Sequence, residues 1–151
     1  MGQLTPLIAG KLVAFDTGPL IYYIEEHPDY LSPADEIFSA IDSGTAHGMT
    51  SVLTLQEVLV KPLRDGRKDL AEKYRDVLTN SANVRLYDVD QSICDTAARL
   101  RAKYIWLRTP DALQLSTAIK HEAQIMVTND EQWRLVSEVV VLVLKDFATD
   151  R

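Results

Sequence analysis

The chain carries a single cysteine, Cys94, in 151 residues. No internal disulfide can form, and no Cys pair exists to start a zinc site. Histidine is equally scarce: His27, His47 and His121 are far apart, and none pairs with another His or with Cys at metal-ligand spacing. Aromatic residues make up 7% of the chain, and no apolar run approaches membrane-span length; the longest, 139–144, has the length of a strand. Residues 1–11 lack a basic segment followed by an apolar one, so no secretory signal is expected, and Pro6 stands where a myristoylation signal wants Ser or Thr. No Gly-rich loop ends in Gly-Lys-Ser/Thr, which excludes a P-loop. Positive charge is also short. A net charge of −6 argues against a large basic surface for non-specific nucleic-acid binding. Together these point to a cytoplasmic protein, with Cys94 read as a small core residue in a helix.

What is present is an ordinary globular composition, 46% hydrophobic and 25% charged, at a length that suits one domain over 1–151 with its core at about 12–144. Strand and helix signals alternate throughout. Strands are predicted over 12–15, 46–50, 84–87, 125–128 and 139–144. Between them lie helices over 20–26, from Ser32-Pro33 to Gly44, from Ser51 to near Pro62, over 68–78, from Asp90 to Tyr104, and from Thr109-Pro110 onward. Ser32, Ser51 and Asp90 read as N-caps, Pro33 as a first-turn residue and Gly44 as a stop. Repeated β-α units predict an α/β fold, with a central, mainly parallel sheet flanked by helices on both faces.

Four acids stand where strands end or helices begin: Asp16, Glu57, Asp111 and Asp130. Asp16 follows Leu12-Val13-Ala14-Phe15, and Asp130 follows Ile125-Met126-Val127-Thr128 closely. In an open parallel sheet these positions face one crevice. Singly each has an ordinary explanation: an Asx turn at Asp16, an exposed helix position at Glu57, helix N-terminal charge at Asp111, and a cap at Asp130. Jointly they would repel one another unless a cation neutralised them. Oxygen-only ligation suits Mg²⁺ or Mn²⁺. The pattern therefore predicts metal-dependent phosphoryl chemistry, most simply a nuclease.

The runs around the acids are Phe15-Asp16-Thr17, Thr54-Leu55-Gln56-Glu57-Val58, Thr109-Pro110-Asp111-Ala112-Leu113 and Val127-Thr128-Asn129-Asp130. In this order the chain resembles PIN-domain ribonucleases, including the VapC-type toxins of toxin–antitoxin pairs. The resemblance implies a compact α/β/α domain that binds Mg²⁺ or Mn²⁺ through Asp16, Glu57, Asp111 and Asp130 and cleaves RNA. It implies that the hydroxyls of Thr17 and Thr128, with Asn129 in support, order the site. A small antitoxin partner and a homodimer are implied in the same way. The stretch 61–83 matches the family least.

Basic residues form two clusters, one around Lys61, Arg64, Arg67 and Lys68 and one around Arg99, Arg101, Lys103 and Arg108. Each reads either as a solvated helix face or as a phosphate contact; Arg108, Lys61 and Arg64 are the candidate RNA contacts. Trp106 and Trp133 could stack a base, although packing is the simpler role. Two other classes compete. One is a non-catalytic RNA- or protein-binding module on the same fold. The other is a haloacid-dehalogenase-like phosphatase, which would want a second Asp at the position held here by Gly18.

Overall fold

A computed structural model describes residues 2–148. The five strands are β1 (Leu12–Phe15), β2 (His47–Ser51), β3 (Val84–Tyr87), β4 (Ile125–Thr128) and β5 (Val140–Val143). They form one sheet in the order β3-β2-β1-β4-β5, and every pairing is parallel. Helix α1 (Thr5–Ile8) precedes β1, and the crossovers run through α2 (Thr17–Ile24), α3 (Leu31–Asp42), α4 (Val52–Arg64), α5 (Lys68–Asn80), α6 (Gln91–Lys103) and α7 (Thr109–Lys120). Two short 3-10 turns, Glu131–Leu135 and Leu144–Phe147, follow β4 and β5. The predicted α/β/α architecture with a parallel central sheet is the one observed.

The strands separate the core into two layers because successive side chains point to opposite faces. Val13 and Phe15 of β1 and Ile125 and Val127 of β4 pack with Ile37, Phe38, Ile41 and Tyr74. Ala14, Met49 and Met126 face the other way, against Leu100, Leu115, Ala118 and Trp133. Phe15 meets Phe38 edge-on with centroids 5.0 Å apart. Gly48 makes this packing possible: a Cβ there would lie 3.0 Å from Ile41 Cδ1 and 3.4 Å from the Phe15 ring.

Several local expectations change. α2 starts at Thr17 rather than at Leu20, because the Asp16 carboxylate accepts the Thr17 amide and Pro19 sits in a first turn that needs no amide there. α3 starts at Leu31 with Tyr30 at the N-cap, so Ser32 is not the cap. Packing decides this start: Tyr30 is clustered with Tyr22 and His27, and Leu31 N donates to His27 O. α4 runs through Pro62 to Arg64, because the proline falls in the last turn, where its buried ring packs while Asp65 and Arg67 amides close on Lys61 and Pro62 carbonyls. Cys94 is exposed rather than in the core, lying on the outer side of α6 while Ile93, Ala97 and Leu100 face inward. α1 was not anticipated; Leu4 and Ile8 are buried, and Thr5 donates to Glu36 of α3 from its amide at 2.5 Å and its hydroxyl at 2.7 Å. Ser51, Asp90 and Gly44 (φ +82°) act as caps and stop where the sequence places them.

Candidate acidic site

The chain leaves β1 toward β2 on one side and β4 lies on the other, so the sheet changes direction between β1 and β4. A crevice opens at such a switch point, beyond the carboxyl ends of the strands. Asp16 follows β1 directly, and Asp130 lies two residues beyond the end of β4. Glu57 stands in the middle of α4, which leaves the end of β2, and Asp111 in the first turn of α7.

Asp16 is the most tightly held of the four. Its Oδ1 accepts the Thr17 amide at 2.8 Å and its Oδ2 accepts the Thr128 hydroxyl at 3.0 Å. Thr128 is buried, and its oxygen in turn accepts the Asp130 amide at 3.1 Å. One hydroxyl thus fixes Asp16 relative to the turn that carries Asp130. On the other flank the Thr17 hydroxyl donates to Glu57 Oε1 at 2.8 Å, which links α2 to α4. Asp130 caps the following 3-10 turn by accepting the Gln132 amide at 3.0 Å. Asn129 Oδ1 accepts the Lys145 amide at 3.0 Å, and its Nδ2 reaches Tyr22 Oη at 3.4 Å, so Asn129 braces the turn rather than facing the acids.

Burial pushes the Asp16 carboxyl up to about 6, against the opposing hydrogen bonds from Thr17 and Thr128, and the charges of Asp111 and Glu57 push it further. Asp111 is also raised, first by burial, with the Arg108 guanidinium working against the charges of Asp130 and Glu57. The four acids, which come from four separate segments, therefore share one electrostatic environment. Arg108 is the nearest cation of the predicted set. Its guanidinium lies 3.6 Å from Asp111 and is largely exposed. Lys61 and Arg64 are exposed in the last turn of α4, one and two turns beyond Glu57, and Lys61 lines a cleft with Glu25, Asp65 and Arg67. Trp133 is buried in the core and cannot stack an incoming base, while Trp106 is half-buried against Tyr104.

Among the described residues, no three His, Cys, Asp or Glu side chains converge into a ready-made metal cage. The acids are instead held singly by the amides and hydroxyls just named. The donor set is still that of a hard divalent cation: carboxylate oxygens, no nitrogen or sulfur ligand, and charges that repel until a cation is present.

Sequence reading missed two groups near the acids: Lys145, whose amide reaches Asn129, and Gln114, one turn after Asp111. A glutamine inside a helix carries no motif signal. Its importance shows only through the partners it meets.

An α/β/α domain with acids gathered at its switch point defines a class of fold with an acidic crevice. Residues 13–139 match the PIN domain, and the chain belongs to that family. No curated protein matches the sequence. Solved structures with the same fold include VapBC2 of Rickettsia felis bound to a promoter DNA fragment, with TM-score 0.68, 17% identity and coverage of 87% of this chain and 98% of that one. A toxin–antitoxin complex of Klebsiella pneumoniae aligns with TM-score 0.66 and 21% identity over 87% of this chain and 97% of that one. The sarcin-ricin-loop-cleaving toxin VapC20 of Mycobacterium tuberculosis aligns with TM-score 0.68 and 16% identity over 83% and 95%. Among the described residues, no helix is long and apolar enough to cross a membrane.

Proposed function

We propose that this protein is a divalent-metal-dependent endoribonuclease, the toxin of a toxin–antitoxin pair. The observation that carries the reading is that Asp16, Glu57, Asp111 and Asp130 stand on segments around the sheet's switch point and act on one another's charge, with Asp16 partly buried and its carboxyl raised toward neutrality. Asp16 and Asp111 are the leading ligands for Mg²⁺ or Mn²⁺. Asp130 would ligate directly or through water, and Glu57 would ligate or orient the attacking water. A bound divalent ion would lower the pKa of water and offset charge on the attacked phosphate. The chain's own part is to hold the acids apart from one another and in place through Thr17 and Thr128, and to receive the substrate phosphate near Arg108. Activation of the attacking water would fall to the metal and a carboxylate.

Fold likeness to toxin–antitoxin complexes supports an antitoxin partner, and the likeness to a toxin that cleaves the sarcin-ricin loop supports RNA as the substrate. A homodimer and a cytoplasmic location belong to the same reading. An acidic chain of net charge −6 gains from a second subunit or a partner when holding RNA.

The test is cleavage of a mixed RNA pool with Mg²⁺, Mn²⁺ or EDTA, using wild type and Asp111→Asn. Cleavage by wild type alone, and only with metal, is the expected result. RNA bound tightly but never cut would instead favour the non-catalytic binding module.

A further inference from the structure

Behind the acids lies a buried hydrogen-bond chain with one direction. Gln114 of α7 donates from Nε2 to the Thr54 hydroxyl of α4 at 2.8 Å. Thr54 and Thr50 hydroxyls lie 2.7 Å apart, and Thr50 donates to the Phe15 carbonyl at 2.8 Å. A hydroxyl has one proton to give. Thr50 spends its proton on Phe15, so Thr54 must donate to Thr50, and the Thr54 oxygen is left to accept from Gln114. The amide oxygen of Gln114 is fixed in turn by the Ser51 hydroxyl, at 2.9 Å. Thr50, Ser51, Thr54 and Gln114 are all buried, at 0–3% exposure.

Each end of this chain adjoins an acid. Gln114 lies one turn beyond Asp111, and Thr54 lies one turn before Glu57. The Phe15 carbonyl belongs to the peptide that leads into Asp16. Ser51 also caps α4, accepting the Leu53 amide at 3.2 Å. Apolar packing between α4 and α7 would permit small slides and rotations. A satisfied, directional polar chain permits one arrangement, because any shift strands a buried donor or acceptor.

We infer that Gln114, Thr54 and Thr50 are positioning residues that lock α7, α4 and the end of β1 in the one register that lets Asp111, Glu57 and Asp16 act on a common cation. This inference rests on the proposed function for the cation, but the locking itself does not. The variants are Thr54→Val and Gln114→Leu, which keep shape and lose the hydrogen bonds, and Thr54→Ser, which keeps the hydroxyl. Three readouts serve: Mn²⁺ affinity by titration calorimetry, kcat and KM on single-stranded RNA, and the amide NMR signals of Asp16, Glu57 and Asp111 in metal-free protein.

Thr54→Val and Gln114→Leu are expected to weaken Mn²⁺ binding about tenfold and to lower kcat by a similar factor with KM little changed. The three amide signals should move in both variants, and Thr54→Ser should restore all readouts. Folded variants with wild-type Mn²⁺ affinity, kcat and amide signals would overturn the inference, since the chain would then serve stability alone. If Thr54→Val and Gln114→Leu fail to fold, Thr54→Ser against Thr50→Ser and Thr50→Val decides by the same readouts, and unchanged signals in Thr50→Val overturn it. Wild type that neither binds Mn²⁺ nor cuts RNA would sink the proposed function, and the amide signals would then decide the locking by themselves.

Discussion

The hydroxyl of Thr17 donates to the carboxylate of Glu57 at 2.8 Å, joining the first residue of α2 to the centre of α4. Glu57 is exposed, and the Thr17 hydroxyl holds its carboxylate. Thr17→Val keeps the side-chain shape and removes the donor. RNA cleavage is expected to fall about tenfold while thermal stability barely changes, and Thr17→Ser should keep most activity. Full-rate cleavage by Thr17→Val would show that Glu57 needs no such restraint.

Asp16 makes stability depend on pH in a direction unusual for a carboxylate. Its folded pKa of about 6 lies above the ordinary value of 3.8. A group raised on folding contributes stability that is fully present below the unfolded pKa and is lost as pH rises through the folded one. The cost of ionised Asp16 to the metal-free protein should grow between these values and level off above the folded one at no more than about 3 kcal/mol. Asp16→Asn in EDTA should therefore be more stable than wild type near neutral pH and lose that advantage by about pH 4. Urea titrations of both proteins at the two pH values check this; an equal difference at both would refute it.

Arg108 is largely exposed and 3.6 Å from Asp111, and it is the phosphate contact of the proposed function. Arg108→Ala should weaken RNA binding and reduce the salt slope by about one phosphate contact. Because the guanidinium opposes the rise of the Asp111 pKa, the variant should also titrate Asp111 higher. An unchanged slope in binding measured across salt concentrations would remove Arg108 from the RNA path.

Trp133 is 1% exposed in the layer formed by Met49, Leu115 and Met126, directly after the turn that carries Asp130. Trp133→Ala should destabilise the fold by about 3–5 kcal/mol. Because that turn is anchored by the tryptophan, cleavage should fall even where the variant remains folded. Denaturant unfolding with activity measured below the transition tests both parts; a loss under about 1 kcal/mol would contradict the core role, because surface substitutions fall in that range.

The parallel α/β/α fold was legible in the chain because its signals are local. β1, β3 and β4 have the bounds that their apolar runs predict, and Ser51 and Asp90 cap their helices through side-chain chemistry written at single positions. The positions of Asp16, Glu57, Asp111 and Asp130 were legible for the same reason, since each stands at an element boundary or in a short motif. Where packing outweighed local propensity, the reading slipped. Tyr30 in its aromatic cluster displaced Ser32 as the start of α3, Pro62 was absorbed into the last turn of α4, and Cys94 turned outward on α6.

By itself, then, the sequence determined the alternation of strands and helices from β1 onward, with Asp16, Asp111 and Asp130 at element boundaries and Glu57 inside α4, because periodicity, caps and strand ends depend on neighbours along the chain. Only the tertiary structure decided that Thr128 joins Asp16 to the Asp130 turn, that Arg108 pairs with Asp111, and that Gln114, Thr54 and Thr50 form one buried chain ending at Phe15. These contacts cross as many as 112 residues of sequence, as from Thr128 to Asp16. A hydrogen bond of that span has no trace in spacing; it exists only once the sheet has brought β1 and β4 side by side.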